Sequence, residues 1–244
     1  MNSIAIIFRR ELASYFVTPL AYVVIFFFLV VANAFTFYFG GFYGSNQADL
    51  NTFFQWLPWL FAFFIPAISM RLWAEERSSG SIELLMTLPI TLWQAAVGKF
   101  LAAWCFAGIL LALTFPIWIT VAWLGDPDNG AIFVGYLGAL LMAGGFLAVG
   151  TCMSALTRNQ VIAFVLGLVI SLVSVLAALP IVRDGLSHIL PAAIVDAIAG
   201  FSFLMRFQSI SKGVLDLRDL LFFLMVMGFW LLATVIIIDI KKAE

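Results

Sequence analysis

The chain has 244 residues, 64% of them hydrophobic and 10% charged, with a formal net charge of −1 and a mean hydropathy of +1.13. A soluble domain is nearer half apolar and a quarter charged, so this composition belongs in lipid. The charge balance offers no basic stripe for a phosphate backbone, which excludes a nucleic-acid partner. Two cysteines, both inside apolar runs, and a single histidine, His188, exclude a disulfide framework and most metal-dependent or histidine-based catalysis.

The first informative stretch is residues 1–18. On a helical wheel Ile4, Ile7, Phe8, Leu12 and Tyr15 share one face, with Arg9 and Arg10 roughly opposite. This predicts an elbow helix lying in the membrane interface before the chain turns at Pro19. Glu11 falls on the apolar side, which simple basic anchoring does not explain. Arg9-Arg10 ahead of an apolar run and Ala32-Asn33-Ala34 imitates a secretory leader, but Glu11 and Pro19 interrupt the approach, and an uncleaved first span is expected.

Beyond the elbow, charged residues punctuate the chain. Uncharged runs at 12–48, 50–70, 100–125, 129–157, 159–182 and 220–238 each hold one span, because about 20 apolar residues cross a ~30 Å hydrocarbon core. Six transmembrane helices are predicted, the first near 20–39. With the N-terminus in the cytoplasm, Arg9, Arg10, Arg71, Arg77, Lys99, Arg158, Lys241 and Lys242 lie inside, while the first two outer loops carry neither Lys nor Arg. The positive-inside bias therefore puts both termini in the cytoplasm. Arg183, Arg206, Lys212 and Arg218 fall in the longer third outer segment. Trp56, Trp59, Trp73, Trp93, Trp104, Trp118 and Trp123 are read as interfacial anchors towards span ends.

No ionisable residue lies near the middle of a predicted span, so an ion-coupling site is not expected. Ser154, Ser171 and Ser174 have no base beside them and are read as helix-packing residues, and Asn33 as an interhelical contact. An intramembrane enzyme finds no catalytic set here. The run from Gly145 to Thr151 copies the glycine spacing of a phosphate loop without its lysine. Gly138, Gly144, Gly145 and Gly150 are instead expected to form a small-residue face. If the protein does energised work, the energy enters from another polypeptide.

The cytoplasmic connection 71–90 is long and charged. Gly80 is placed as an N-cap and Glu83 as the carboxylate in the first turn of a short helix, which Pro89 ends and whose apolar side is Ile82, Leu85 and Met86. On the outer side, 186–195 and 197–205 are too short to span and too apolar for free loops, which predicts re-entrant hairpins within 183–218.

The connection resembles the signature of type-2 ABC transporter permeases, in which Glu and Arg precede a Gly-Thr run carrying a Glu, leucines and a closing Pro. Glu75, Glu76, Arg77, Gly80, Glu83, Leu84, Leu85 and Pro89 match in order, with Ser81 where Thr is common, and Gly98-Lys99 comes next. A second match runs from Gln208 through Gly213, Asp216, Arg218 and Asp219. Upstream of it Ser202, Phe203, Arg206 and Phe207 stand where the family often has Ser-Pro-x-x-His-Phe, so the usual His is missing. The likeness spans the whole chain and is nearest to the gliding-motility-type permease subunit of Gram-negative bacteria.

The resemblance implies one all-α integral membrane permease domain over 1–244, in the bacterial inner membrane. It would comprise an elbow helix, six spans, a coupling helix between spans two and three and an outer re-entrant segment between spans five and six. It implies an ABC ATPase subunit as partner, which would bind ATP and Mg while this chain binds no cofactor. A second permease subunit, identical or related, membrane lipid and an auxiliary periplasmic or membrane protein complete the expected partners. Glu75, Glu76, Arg77, Gly80, Glu83 and Pro89 would meet the ATPase; Arg9, Arg10 and Glu11 would brace the elbow; Phe207, Gly213, Asp216, Arg218 and Asp219 would shape the outer segment. The function implied is ATP-driven export. The alternative is ATP-driven mechanical transmission to a periplasmic or membrane partner without solute transport.

Overall fold

The computed structural model describes residues 3–45, 48–87, 89–188 and 190–241. The side chains of Leu84, Leu85 and Met86, of which Leu85 and Met86 are expected on the coupling helix's apolar side, lie outside the described residues, as does Lys242. Every regular element among the described residues is helical.

Helix α1 (Ser3–Val17) is the amphipathic segment predicted at the N-terminus. Pro19 opens α2 (Pro19–Asn33) at its first position, where a missing N–H is harmless and the fixed φ suits a helix. A π-helical turn, Ala34–Phe39, and the short α3 (Phe42–Ser45) carry the chain to the far side. Helix α4 (Asn51–Ser69) passes through Met70 into α5 (Arg71–Ser79), so the second span runs on into the charged connection. Gly80, at φ +72°, ends α5 in the left-handed conformation that glycine adopts without strain. It is also the residue just before α6 (Ser81–Thr87), whose first turn carries Glu83. Thr91 and Gln94 form a reciprocal capping box that starts α7 (Leu92–Ala112). The chain breaks at Leu113 and Thr114, and Pro116 sits in the first turn of α8 (Phe115–Leu124).

Asp128 caps α9 (Asn129–Leu156) by accepting from the N–H groups of Gly130 and Ala131. Asn159 does the same for α10 (Gln160–Leu176) through Val161. Helix α11 (Pro180–Ser187) turns away from α10 by 80°, and α12 (Ala192–Gly200) meets α13 (Phe203–Ser211) at 62°. Asp216 caps α14 (Leu217–Ile240).

Among the described residues, five helical stretches are long and apolar enough to cross a bilayer: Pro19–Gly44, Asn51–Ser79, Leu92–Leu124, Asn129–Leu156 and Leu217–Ile240. Each bent pair, α10 with α11 and α12 with α13, adds one more if counted as a single span, giving up to seven. The expected fifth span corresponds to α10. Its 17 residues rise about 25 Å, slightly less than the hydrocarbon core, before Pro180 starts a new direction. The second bent pair fills the segment expected to hold re-entrant hairpins.

Helix α9 is the axle of the molecule. It packs against α4, α5, α7, α10, α13 and α14 and is buried on every side along its C-terminal half, from Met142 to Ala155. The small glycines expected to allow close helix contact do so, but towards several neighbours rather than along one face. A Cβ on Gly138 would come within 2.4 Å of Ile210 on α13, and one on Gly150 within 1.9 Å of Ser69 Oγ on α4. The glycines admit different neighbours because the helix is surrounded.

Two further expectations are corrected. Asn33 is exposed, and its amide donates to Leu29 O in its own helix at 2.7 Å, so it is not an interhelical contact; a side chain facing lipid satisfies itself on the preceding turn. Trp73 is fully buried rather than interfacial, because the charged joint closes around it.

Candidate functional site

Helix α1 lies along α7, and their closest approach is set by a glycine. A Cβ on Gly98 would stand 2.8 Å from Ile7 Cγ2. One turn on from Ile7 is Glu11, and one turn further is Tyr15, whose ring stacks on Phe106 of α7 at 4.9 Å and whose hydroxyl donates to Ile68 O at 3.4 Å. Residues four apart share a helical face, so Glu11 is held between two buried contacts and points at Lys99, beside Gly98. The charge that spoils the apolar stripe is the one that meets the buried lysine.

Lys99 is 2% exposed. Its ammonium lies 2.8 Å from Glu76 Oε1 and 3.3 Å from Glu11 Oε1, donates to Leu72 O at 3.1 Å, and sits 5.2 Å above the Trp73 ring. A charge removed from water needs this density of partners. Arg10 joins from the rim, 2.6 Å from Glu11 and 3.7 Å from Glu76. Burial pushes the Glu11 carboxyl up, but the charge of Lys99 and the hydrogen bond and charge of Arg10 outweigh it, leaving the pKa below 4.5. Glu76 Oε2 is buried with no hydrogen-bond partner among the described residues. One lysine on α7 thus ties α1 to α5.

The other face of α5 is bonded to α9. Ser154 Oγ accepts from the N–H groups of Trp73 and Ala74, each at 3.0 Å, and donates to Met70 O at 2.7 Å. This satisfies the backbone where α4 gives way to α5. Arg77 donates to Ala155 O at 2.6 Å, and Lys241, just after α14, donates to Leu156 O. Two cations therefore meet the carbonyl end of α9, where the helix dipole is negative. Arg71 completes the joint, 3.2 Å from Glu75 and donating to Thr18 Oγ1 at 3.1 Å, at the corner between α1 and α2. A polar cleft of about 280 Å³ opens between α1 and α5, lined by Glu11, Tyr15, Arg71, Glu75, Glu76 and Lys99 among others.

The connection's predicted residues thus separate into two groups. Glu76 and Arg77 turn inward onto Lys99 and α9, while Glu75, Gly80, Glu83 and Pro89 are exposed. On α1, Arg9 is exposed and Arg10 and Glu11 belong to the joint. The remaining predicted residues gather at the opposite end. Phe207 is buried, and Gly213, at φ +85°, brings its α carbon's open side against Ala131, where a Cβ would stand 3.1 Å away. Asp216 caps α14, Arg218 is exposed, and Asp219 is buried on Arg206 Nη1 at 3.1 Å. Lys99, Ser154 and Arg206 were not among the expected site residues. For Lys99 a signal existed: a lone lysine directly against a long uncharged run has to find a partner or snorkel.

No curated protein gave a significant match to this sequence. The profile of the family described as CcmB protein matches residues 4–215, taking in α1, most of the charged joint, all of α9 and both bent pairs. The match supports an ABC-2-type permease and does not carry the likeness to the gliding-motility-type subunit. With more than half its length matched, the chain belongs to the CcmB protein family of multi-pass ABC-2-type membrane permeases.

Proposed function

We propose that the chain is the membrane-spanning subunit of an ATP-driven exporter, working with a separate ABC ATPase that binds ATP and Mg and with a second permease subunit, identical or related. The observation that carries this is the joint around Lys99. A helix that runs out of the membrane as α5, and ends beside the exposed Glu83, is bonded to the elbow on one side and to the central helix on the other. Force applied by an ATPase to α6 would reach α1, α7 and α9 together, through contacts that have no slack. In this reading α1 is the elbow helix, α6 the coupling helix, and α12 and α13 the outer re-entrant pair. Both termini face the cytoplasm of a bacterial inner membrane. Glu75, Gly80, Glu83 and Pro89 form the surface that meets the ATPase, and Glu76 and Arg77 pass its movement inward.

The family is one of haem-exporter permeases, which makes haem the first cargo to test. A second reading, in which the pair moves a periplasmic or membrane partner rather than a solute, draws on the same joint, since bonded helices transmit displacement with or without a pathway. The likeness to gliding-motility-type subunits bears on that reading only.

The test is isolation of the tagged chain from its own membranes in mild detergent. The expected result is a P-loop ATPase in the complex and ATP hydrolysis lost on Glu83→Lys with the chain still folded. Isolation without any ATPase, in every mild detergent tried, would overturn the proposal.

A further inference from the structure

Away from the joint, a groove of about 720 Å³ runs down the exposed apolar side of α14. Phe222, Val226 and Trp230, one turn apart, make its half-buried floor, and Phe201 from the end of α12 makes a wall, its ring 6.3 Å from Phe222. Arg218 stands at one end and Phe229 at the other. The Arg206 guanidinium lies 5.3 Å from the Phe222 ring but is committed to Asp219. Arg218 forms no ion pair among the described residues.

We propose that this groove holds one acyl chain of a phospholipid, with the lipid phosphate on Arg218. Two independent features select that occupant. The first is length. From Arg218 to Phe229 is eleven residues, a rise of about 16 Å, which matches half of a ~30 Å hydrocarbon core. The groove therefore covers one leaflet, from headgroup level to mid-membrane, which is the reach of one lipid chain. The second is charge. An exposed guanidinium at headgroup depth faces the anion that every phospholipid supplies there, and arginine binds phosphate oxygens through parallel N–H donors. Both features need only the chain's place in a membrane and hold for either orientation of the termini.

The experiment is native mass spectrometry of the full chain titrated with dioleoyl phosphatidylglycerol, with dioleoylglycerol and inorganic phosphate as separate probes. One tightly retained phosphatidylglycerol per chain is expected, with dioleoylglycerol at least about tenfold weaker, the factor that loss of one charge-assisted hydrogen bond gives. Arg218→Glu, at an exposed position, should weaken retention by a similar factor, while Arg218→Lys keeps most of it. Unchanged retention in Arg218→Glu would overturn the proposal, as would phosphate competing as well as the lipid. So would disulfide crosslinking between copies of a Met225→Cys variant in a Cys105→Ser background, since the groove would then be covered by protein.

Discussion

Replacing Lys99 with Met removes the single charge on which the joint closes. Methionine keeps the length and the apolar stem, so the change isolates the ammonium. Its loss strands Glu76, whose side chain is 16% exposed, and Glu11, at 14%, and leaves Leu72 O without its donor. Breaking a buried ion pair from one side costs about 3–5 kcal/mol. Arg10 remains 2.6 Å from Glu11 and offsets part of this, which places the expected loss near the lower bound, at about 3 kcal/mol. Unfolding of the purified chain, followed by tryptophan fluorescence against denaturant, measures it. The triple variant Lys99→Met, Glu11→Gln, Glu76→Gln should recover a large part of the loss, because no uncompensated carboxylate remains. A Lys99→Met chain within about 1 kcal/mol of the parent would refute the joint as the element that holds α1, α5 and α7 together.

Ser154→Ala leaves the N–H groups of Trp73 and Ala74 without their shared acceptor in a buried position, and a loss of about 1–3 kcal/mol is expected in the same assay. Arg206→Ala strands the buried Asp219 and frees α13 from the start of α14; lowered stability, with Arg206→Ala plus Asp219→Asn closer to the parent, is the outcome in thermal unfolding. The depressed Glu11 pKa stabilises the fold at pH above the ordinary value of 4.5, and this contribution is lost as pH falls through the lower, folded value. Stability should therefore fall as pH drops below 4.5 towards the folded value, and Glu11→Gln, measured across the same range, should flatten that part of the profile.

The membrane nature of the chain and most of its spans were legible because they depend on runs of adjacent residues: a stretch without charge is visible in one dimension. The position of α6 was legible for the same reason, since Gly80, Glu83 and Pro89 act within a few residues of themselves. The joint was not. Lys99 meets Leu72 across 27 positions, and Trp73 meets Ser154 across 81, and no local pattern announces either pairing. Glu11 gave a partial sign, as a charge on the wrong face of an amphipathic helix, but its partner could not be named from its own segment. The bend after α10 was hidden too. Residues 159–182 read as one apolar run because Pro180 lies near its end, where a proline is as consistent with a span boundary as with a new helix.

Arg77 separates two roles that a charged connection between spans can play. As a surface residue it would contact the ATPase, and Arg77→Gln would then leave the isolated chain as stable as the parent while weakening the complex. The geometry points inward. Its guanidinium donates to Ala155 O at 2.6 Å, at the carbonyl end of a 28-residue helix, where hydrogen bond and dipole act in the same direction. For a half-exposed arginine the two together are worth about 1–2 kcal/mol after allowance for screening. Arg77→Gln should therefore cost about that much in the isolated chain, with no ATPase present, and Arg77→Lys should restore part of it because a cation at the helix end remains. The same bond bears on coupling. If α5 is fastened to α9 through Ser154 and Arg77 and to α1 through Lys99, a push on α6 cannot tilt α5 alone. Loosening Arg77 should then uncouple ATP hydrolysis from the membrane domain more than it slows hydrolysis itself, whereas Glu83→Lys should reduce both. An Arg77→Gln chain that is fully stable alone but fails to bind the ATPase would move this residue from the interior of the joint to its outer face.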